Sequence, residues 1–276
     1  MSNVRKAKHG WVLTLIFSLI SIAYIMPIVI VLMNSFKRKI FISNRPFALP
    51  DAKSFVKIEN YINGIQKTDF FRAFGYTLFI TVGSVFVIVL CTSMCAWYIS
   101  RVKNKWTTGI YYLFAFSMIV PFQMVMFTLS KIADMLHLGN PVGIIIVYLG
   151  FGAGLAVFMF CGFVRSIPLE IEESAMIDGC NPVQTYFKIV FPIMKPTAIS
   201  VAILETMWVW NDYLLPYLVL KINKYKTIQI AIQYLKGGYG AIDMGAMMAM
   251  IVLAIIPIIL FYGFCQKYII EGVISG

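Results

Sequence analysis

The chain has 276 residues, of which 60% are hydrophobic and 13% charged, with a mean hydropathy of +0.83. A soluble domain carries about a quarter charged residues, so the composition excludes an ordinary water-soluble globule and points to an integral membrane protein. The net charge of +11 lies in loops, without a basic stripe interleaved with aromatics, and so gives no support to nucleic acid as a partner; anionic lipid headgroups suit it better.

Arg5, Lys6 and Lys8 precede an uncharged run from Trp11 to Met33. That run is too long for a signal-peptide core and long enough to cross about 30 Å of hydrocarbon, so it reads as a retained first span with a cytoplasmic N-terminus. Asn34 to Arg72 is the longest polar interval. The second span is expected over Ala73–Ser100, followed by a tight basic turn of Arg101, Lys103 and Lys105. The third, Trp106–Ser130, is interrupted by Pro121. The fourth, Val142–Val164, carries Gly150 and Gly154 at small-xxx-small spacing, beside Gly152 and Ala156, which allows close helix approach in lipid. The fifth is expected over Pro196–Leu220 and the sixth over Met244–Gln266. Two regions follow: residues 1–72, with the tail, first span and outer loop, and residues 73–276, a core that contains the charged loop 165–195.

That loop is the one long charged interval between spans that reads as compact helical structure. Glu170, Glu172, Glu173 and Asp178 crowd its start, where the free N–H groups of a helix favour negative charge. Ser166 is a candidate cap, and Pro168 suits a first turn. Gly179 supplies a left-handed stop. Asn181, Pro182 and Gln184 then form a capping-box start for a second helix, whose Val183, Tyr186, Phe187 and Val190 fall on one face and which Pro192 is expected to end. A short helix, a glycine turn and a second short helix make a rigid knob outside the lipid.

Catalytic signals are missing. There is no Gly-x-x-x-x-Gly-Lys-Ser/Thr loop and no Ser/His/Asp set, so any ATP hydrolysis belongs to a separate subunit. The five cysteines lie in apolar runs or in the 165–195 loop, where no disulfide is expected; Cys91 and Cys95 are one turn apart but lack a histidine, and read as packing residues rather than metal ligands. Span five holds the anomaly. Glu205 and Asp212 sit in an apolar run, seven residues apart, with Trp208 between them on the same face. An aromatic face beside acids and amides suits a sugar. The same groups, with Asn211, also suit hydrogen bonds that hold helices together.

Glu173-Ser174-Ala175, Gly179 and Phe191-Pro192 resemble the cytoplasmic coupling motif of the inner-membrane permeases of binding-protein-dependent, ATP-driven importers. The family pattern is Glu-Ala-Ala, three residues, Gly, and about a dozen residues later Leu-Pro; here Ser174, Cys180 and Phe191 depart from it in tolerable ways. Glu59-Asn60-Tyr61, the run Ala96 to Arg101, Trp210-Asn211-Asp212-Tyr213-Leu214-Leu215-Pro216 and the ending from Gln266 to Gly272 are similar to signatures of the sugar permeases, although Tyr76-Thr77 stands where that family often has Asn-Ser.

The resemblance implies an all-α integral membrane protein with six transmembrane helices, the type I ABC importer permease fold and both termini cytoplasmic, in the bacterial cytoplasmic membrane. It also implies a role as the smaller permease of an oligosaccharide importer. Its partners would be a second homologous permease, two ATPase subunits that bind ATP and magnesium, an extracytoplasmic solute-binding protein and the sugar. Glu173, Ser174, Ala175, Asp178, Gly179 and Pro192 would meet the ATPase. Gly237, Gly238, Tyr239 and Gly240, at the tip of an outer loop, would meet the binding protein. Glu205, Trp208, Asn211 and Asp212 would line the path or hold helices together. No catalytic residue, cofactor or metal is expected in this chain. Charge alone argues less clearly for this orientation, because more basic residues fall on the outer segments than on the cytoplasmic ones and Lys37-Arg38-Lys39 hugs the outer end of span one; facing cytosolic ATP decides it. The alternatives are an importer permease for an amino acid, osmolyte or phosphonate, and an ion-coupled transporter, which would need no coupling loop.

Overall fold

The computed structural model describes residues 10–235 and 243–274, with side chains as far as Lys267. Among the described residues the secondary structure is helical, apart from one isolated antiparallel bridge between Lys37 and Phe55. Contacts group the chain into two units, residues 1–70 with 232–257, and residues 71–231 with 258–276.

In the first unit, α1 (Gly10–Asn34) is apolar and exposed on every side until its last turn, as a lipid-facing helix must be. Its end is tied down by polar bonds: Asn34 Nδ2 donates to the Ile30 and Pro46 carbonyls. The polar interval is folded rather than loose, with α2 (Lys39–Asn44) and α3 (Glu59–Thr68). Asn60 and Tyr61, noted in the sequence as a signature, hold it closed. Asn60 Nδ2 donates to the Ser35 and Lys37 carbonyls, and the Tyr61 and Ser35 hydroxyls lie 2.7 Å apart. Lys67 pairs with Asp243.

The second unit begins with α4 (Phe70–Arg101), which matches the second expected span. The third is broken, as Pro121 suggested: α5 (Lys105–Ser117) and α6 (Phe122–Met135) meet at 108°. α7 (Gly143–Val164) is the buried centre. Ile144, Tyr148, Ala156, Val157, Phe160 and Val164 are fully enclosed, and α5 and the later helix Lys195–Asn211 pack along it. Close approach happens at two of the three glycines expected to allow it, and Ala156 is fully buried. A methyl on Gly154 would meet Ser117 and Met118, and one on Gly152 would meet Ile88 and Glu205, whereas Gly150 faces open space.

The charged loop folds as α8 (Leu169–Ile177), α9 (Pro182–Thr185), a π-helical turn Tyr186–Val190 and α10 (Phe191–Ile193). Pro192 ends the helix within one residue, at Ile193. Its ring and missing N–H rule out a regular bond to the Lys188 carbonyl, the preceding turn widens to a π turn, and the chain bends by 75° into α11 (Lys195–Asn211). α11 has 17 residues, about 26 Å at 1.5 Å per residue, which is short of the hydrocarbon thickness. The chain breaks at Asp212, in extended conformation, and resumes as α12 (Leu214–Val219), so the expected fifth span is two helices. After α13 (Ile228–Tyr234), α14 (Met244–Ile274) completes the chain. Among the described residues four helices are long and apolar enough to cross a membrane, and up to six if each bent pair counts as one span.

Candidate functional site: the knob and the polar face of α11

The knob is built as its residue types dictate. Gly179 has φ +86°, a left-handed conformation closed to most side chains, and it ends α8 with paired bonds: Cys180 N–H donates to the Ala175 carbonyl and Gly179 N–H to that of Met176. Asn181 and Gln184 form the reciprocal capping box. One cap differs from expectation. Pro168 occupies the N-cap of α8, and the Ser166 hydroxyl donates back to the Phe163 carbonyl.

What fixes the knob to the membrane helices is a set of residues outside the expected site. Glu172 is 2% exposed. Arg101 donates to its Oε1 from Nε at 2.8 Å and from Nη2 at 2.6 Å, and Trp97 Nε1 donates to its Oε2 at 2.9 Å. One turn before Trp97, the Ser93 hydroxyl meets that of Tyr186 at 2.6 Å, and the Trp97 and Tyr186 rings lie 5.5 Å apart. Ser93, Trp97 and Arg101 fall at i, i+4 and i+8, so one face of α4 grips both halves of the knob. The clue was in the sequence: an acid, a tryptophan and an arginine beside the membrane boundary, with burial still to be assigned.

The residues expected to couple divide into two groups. Ala175 is buried within the knob, while Glu173, Ser174, Asp178, Gly179 and Pro192 are exposed. Around the exposed group lie apolar side chains that water would reach, among them Ile177 at 86% exposure, Val183 and Phe187. The expected apolar face of the second helix is therefore split: Tyr186 and Val190 pack inward, and Val183 and Phe187 remain outside.

On α11, the structure joins Trp208 and Asp212 through a residue the sequence reading did not select. Tyr148 of α7 donates its hydroxyl to Asp212 Oδ2 at 3.0 Å, and its ring stands edge-on to Trp208 at 5.4 Å. Asp212 Oδ1 also accepts from Leu214 N–H, capping α12. Asn211 is exposed, and its amide donates to the Met207 carbonyl of its own helix at 2.7 Å. Glu205 lies two turns back, 3% exposed and packed against Gly152, with no hydrogen-bond partner for Oε2 among the described residues. Gly237, Gly238, Tyr239 and Gly240 lie outside the described residues. Among the described residues no group of histidine, cysteine or carboxylate side chains is arranged to hold a metal.

Residues 88–275 match the model of the binding-protein-dependent transport system inner membrane component family. The chain is 35% identical to the probable starch degradation products transport system permease protein of Thermoanaerobacterium thermosulfurigenes, over 96% of each. It is 30% identical to the multiple sugar-binding transport system permease protein of Streptococcus mutans, over 100% of this chain and 99% of that one. In fold it is similar to a chain of a bacterial ABC transporter involved in the import of the acidic polysaccharide alginate, with a TM-score of 0.78 at 22% identity, over 97% of this chain and 99% of that one. The chain belongs to the family of binding-protein-dependent transport system inner membrane components and is a multi-pass membrane permease.

Proposed function

We propose that this chain is one of two homologous permease subunits of an ATP-driven carbohydrate importer, with oligosaccharides as its substrate class. The knob crosses the gap to the motor. Its two short helices are clamped to α4 through Glu172 and Tyr186, so a push on its outer face moves the membrane helix as a rigid body. Glu173, with the exposed Ile177, Val183 and Phe187, supplies an acid on an apolar patch for an ATPase surface, and the ATPase holds the ATP and magnesium. In this arrangement the knob faces the cytosol, six spans place both termini on that side, and an extracytoplasmic binding protein delivers the sugar. The outer tip Gly237-Gly238-Tyr239-Gly240 would receive it. The exposed Trp208 and Asn211 offer the path an aromatic face and an amide, and Asp212 holds α11 to α7 through Tyr148.

The observation that carries this reading is the clamped knob with its unsatisfied apolar tip, since an ion-coupled transporter has no use for one. The sugar-related names of the relatives support carbohydrate over amino acids, osmolytes or phosphonates. Purification from native membranes tests it. A second permease and a pair of ATPase subunits should accompany the chain, and reconstituted vesicles should take up sugar only with ATP and binding protein. Uptake by the lone chain would refute it.

A further inference from the structure

Beside the clamp, at the ends of α4, α5 and α7, lies a cavity of about 490 Å³ walled by Arg101, Lys103, Tyr111 and Arg165, and a second hollow with Lys103, Lys105 and Tyr112 adjoins it. No carboxylate lines either one. Arg101 is committed to Glu172, but Lys103, Lys105 and Arg165 face no acid among the described residues; Arg165 instead rests over the Tyr111 ring, 4.9 Å from its centroid. The Ser100 side chain on the cavity wall is buried, with the Cys161 thiol beside it. Below this polar mouth, α5 exposes Trp106 (84%), Tyr112, Leu113 and Phe116 along its length. A basic pocket therefore adjoins an apolar, aromatic helix face of the kind that suits a membrane–water interface.

We propose that this pocket binds the phosphate of an anionic phospholipid, with Lys103, Lys105 and Arg165 holding the headgroup and the exposed face of α5 receiving the acyl chains. Uncompensated cations attract a phosphate oxygen, and basic pockets between membrane helices take lipid headgroups in this way. The acyl-compatible face is what favours lipid over a soluble anion or an acidic protein surface, neither of which would use it. The site rests on the membrane reading of the chain and not on which solute is carried.

Native mass spectrometry of the full chain, released from micelles containing equal phosphatidylglycerol and phosphatidylcholine, tests the site. The wild type should retain phosphatidylglycerol preferentially, and Lys103→Gln/Lys105→Gln/Arg165→Gln should lose that preference by roughly tenfold or more. Removing the same charge elsewhere, with Lys53→Gln/Lys221→Gln/Lys224→Gln, should leave it intact. Lys103→Arg/Lys105→Arg/Arg165→Lys, which keeps the charge, should preserve the preference and so separates lost binding from lost folding. Equal retention of both lipids by the wild type overturns the proposal, as does a preference that survives the pocket variant. Displacement of bound lipid by millimolar inorganic phosphate, without headgroup preference, assigns the pocket to free phosphate instead and overturns the lipid assignment. A pocket variant that keeps its lipid but loses the ATPase assigns the surface to protein contact, with the same consequence.

Discussion

Two glutamates, equally buried, stand at opposite ends of the same design. Glu172 in the knob is 2% exposed, and both its oxygens are taken, by Arg101 and Trp97. Glu205 in α11 is 3% exposed, and among the described residues its Oε2 is left without a partner against Gly152. Burial alone assigns neither role. A paired acid is a clamp whose removal strands the other charge, whereas an unpartnered acid is a local cost that the fold carries.

The same substitution at both sites gives the sharpest contrast. Glu172→Met strands the Arg101 guanidinium and the Trp97 N–H, and should cost about 3–5 kcal/mol, read as a lowered melting temperature in detergent. Glu205→Met keeps the volume and removes the orphan oxygen, and so should leave the melting temperature level or raise it, since an unsatisfied buried polar group costs about 1–3 kcal/mol. Equal losses at both positions would erase the distinction.

Tyr148→Phe comes next, because it removes the hydroxyl that Asp212 accepts. A buried acceptor left without its donor costs about 1–3 kcal/mol, so stability should fall by that order. Transport of several sugars, normalised to assembled protein, should fall uniformly; a change in preference would move Asp212 from scaffold to path. Gly179→Val should cost about 1–2 kcal/mol through its positive φ alone, because no atom lies within 4 Å of the added Cβ. Gly179→Asn, which tolerates that conformation, should recover most of the loss, and thermal melts of the pair check the assignment to backbone strain.

The legible parts of the sequence were those where chemistry is local. Gly179 with the Asn181–Gln184 box gave the turn and restart of the knob, and Pro121 gave the break between α5 and α6. What escaped depended on contacts far apart in sequence. Glu172 and Glu173 are neighbours of one chemical type, and only the approach of α4, whose Arg101 lies 71 positions earlier, makes one a clamp and leaves the other free. Tyr148 is 64 positions from Asp212, and nothing local marks it. Pro192 marked the stop at Ile193, but not the π turn that precedes it. At Trp208 and Asp212, spacing gave the shared face, while the ring that joins them came from α7.

The smallest expected change in stability belongs to Glu173→Lys, a variant that separates coupling to the ATPase from folding. Glu173 is exposed, so the reversal should shift the chain's own stability by no more than about 0.5 kcal/mol. Co-purification of the ATPase with this variant is the measurement. The expected result is an unchanged melt of the permease, loss of the ATPase and of substrate-stimulated ATP turnover, and recovery of both with a compensating acid on the ATPase. An ATPase retained at wild-type stoichiometry with undiminished turnover would contradict it.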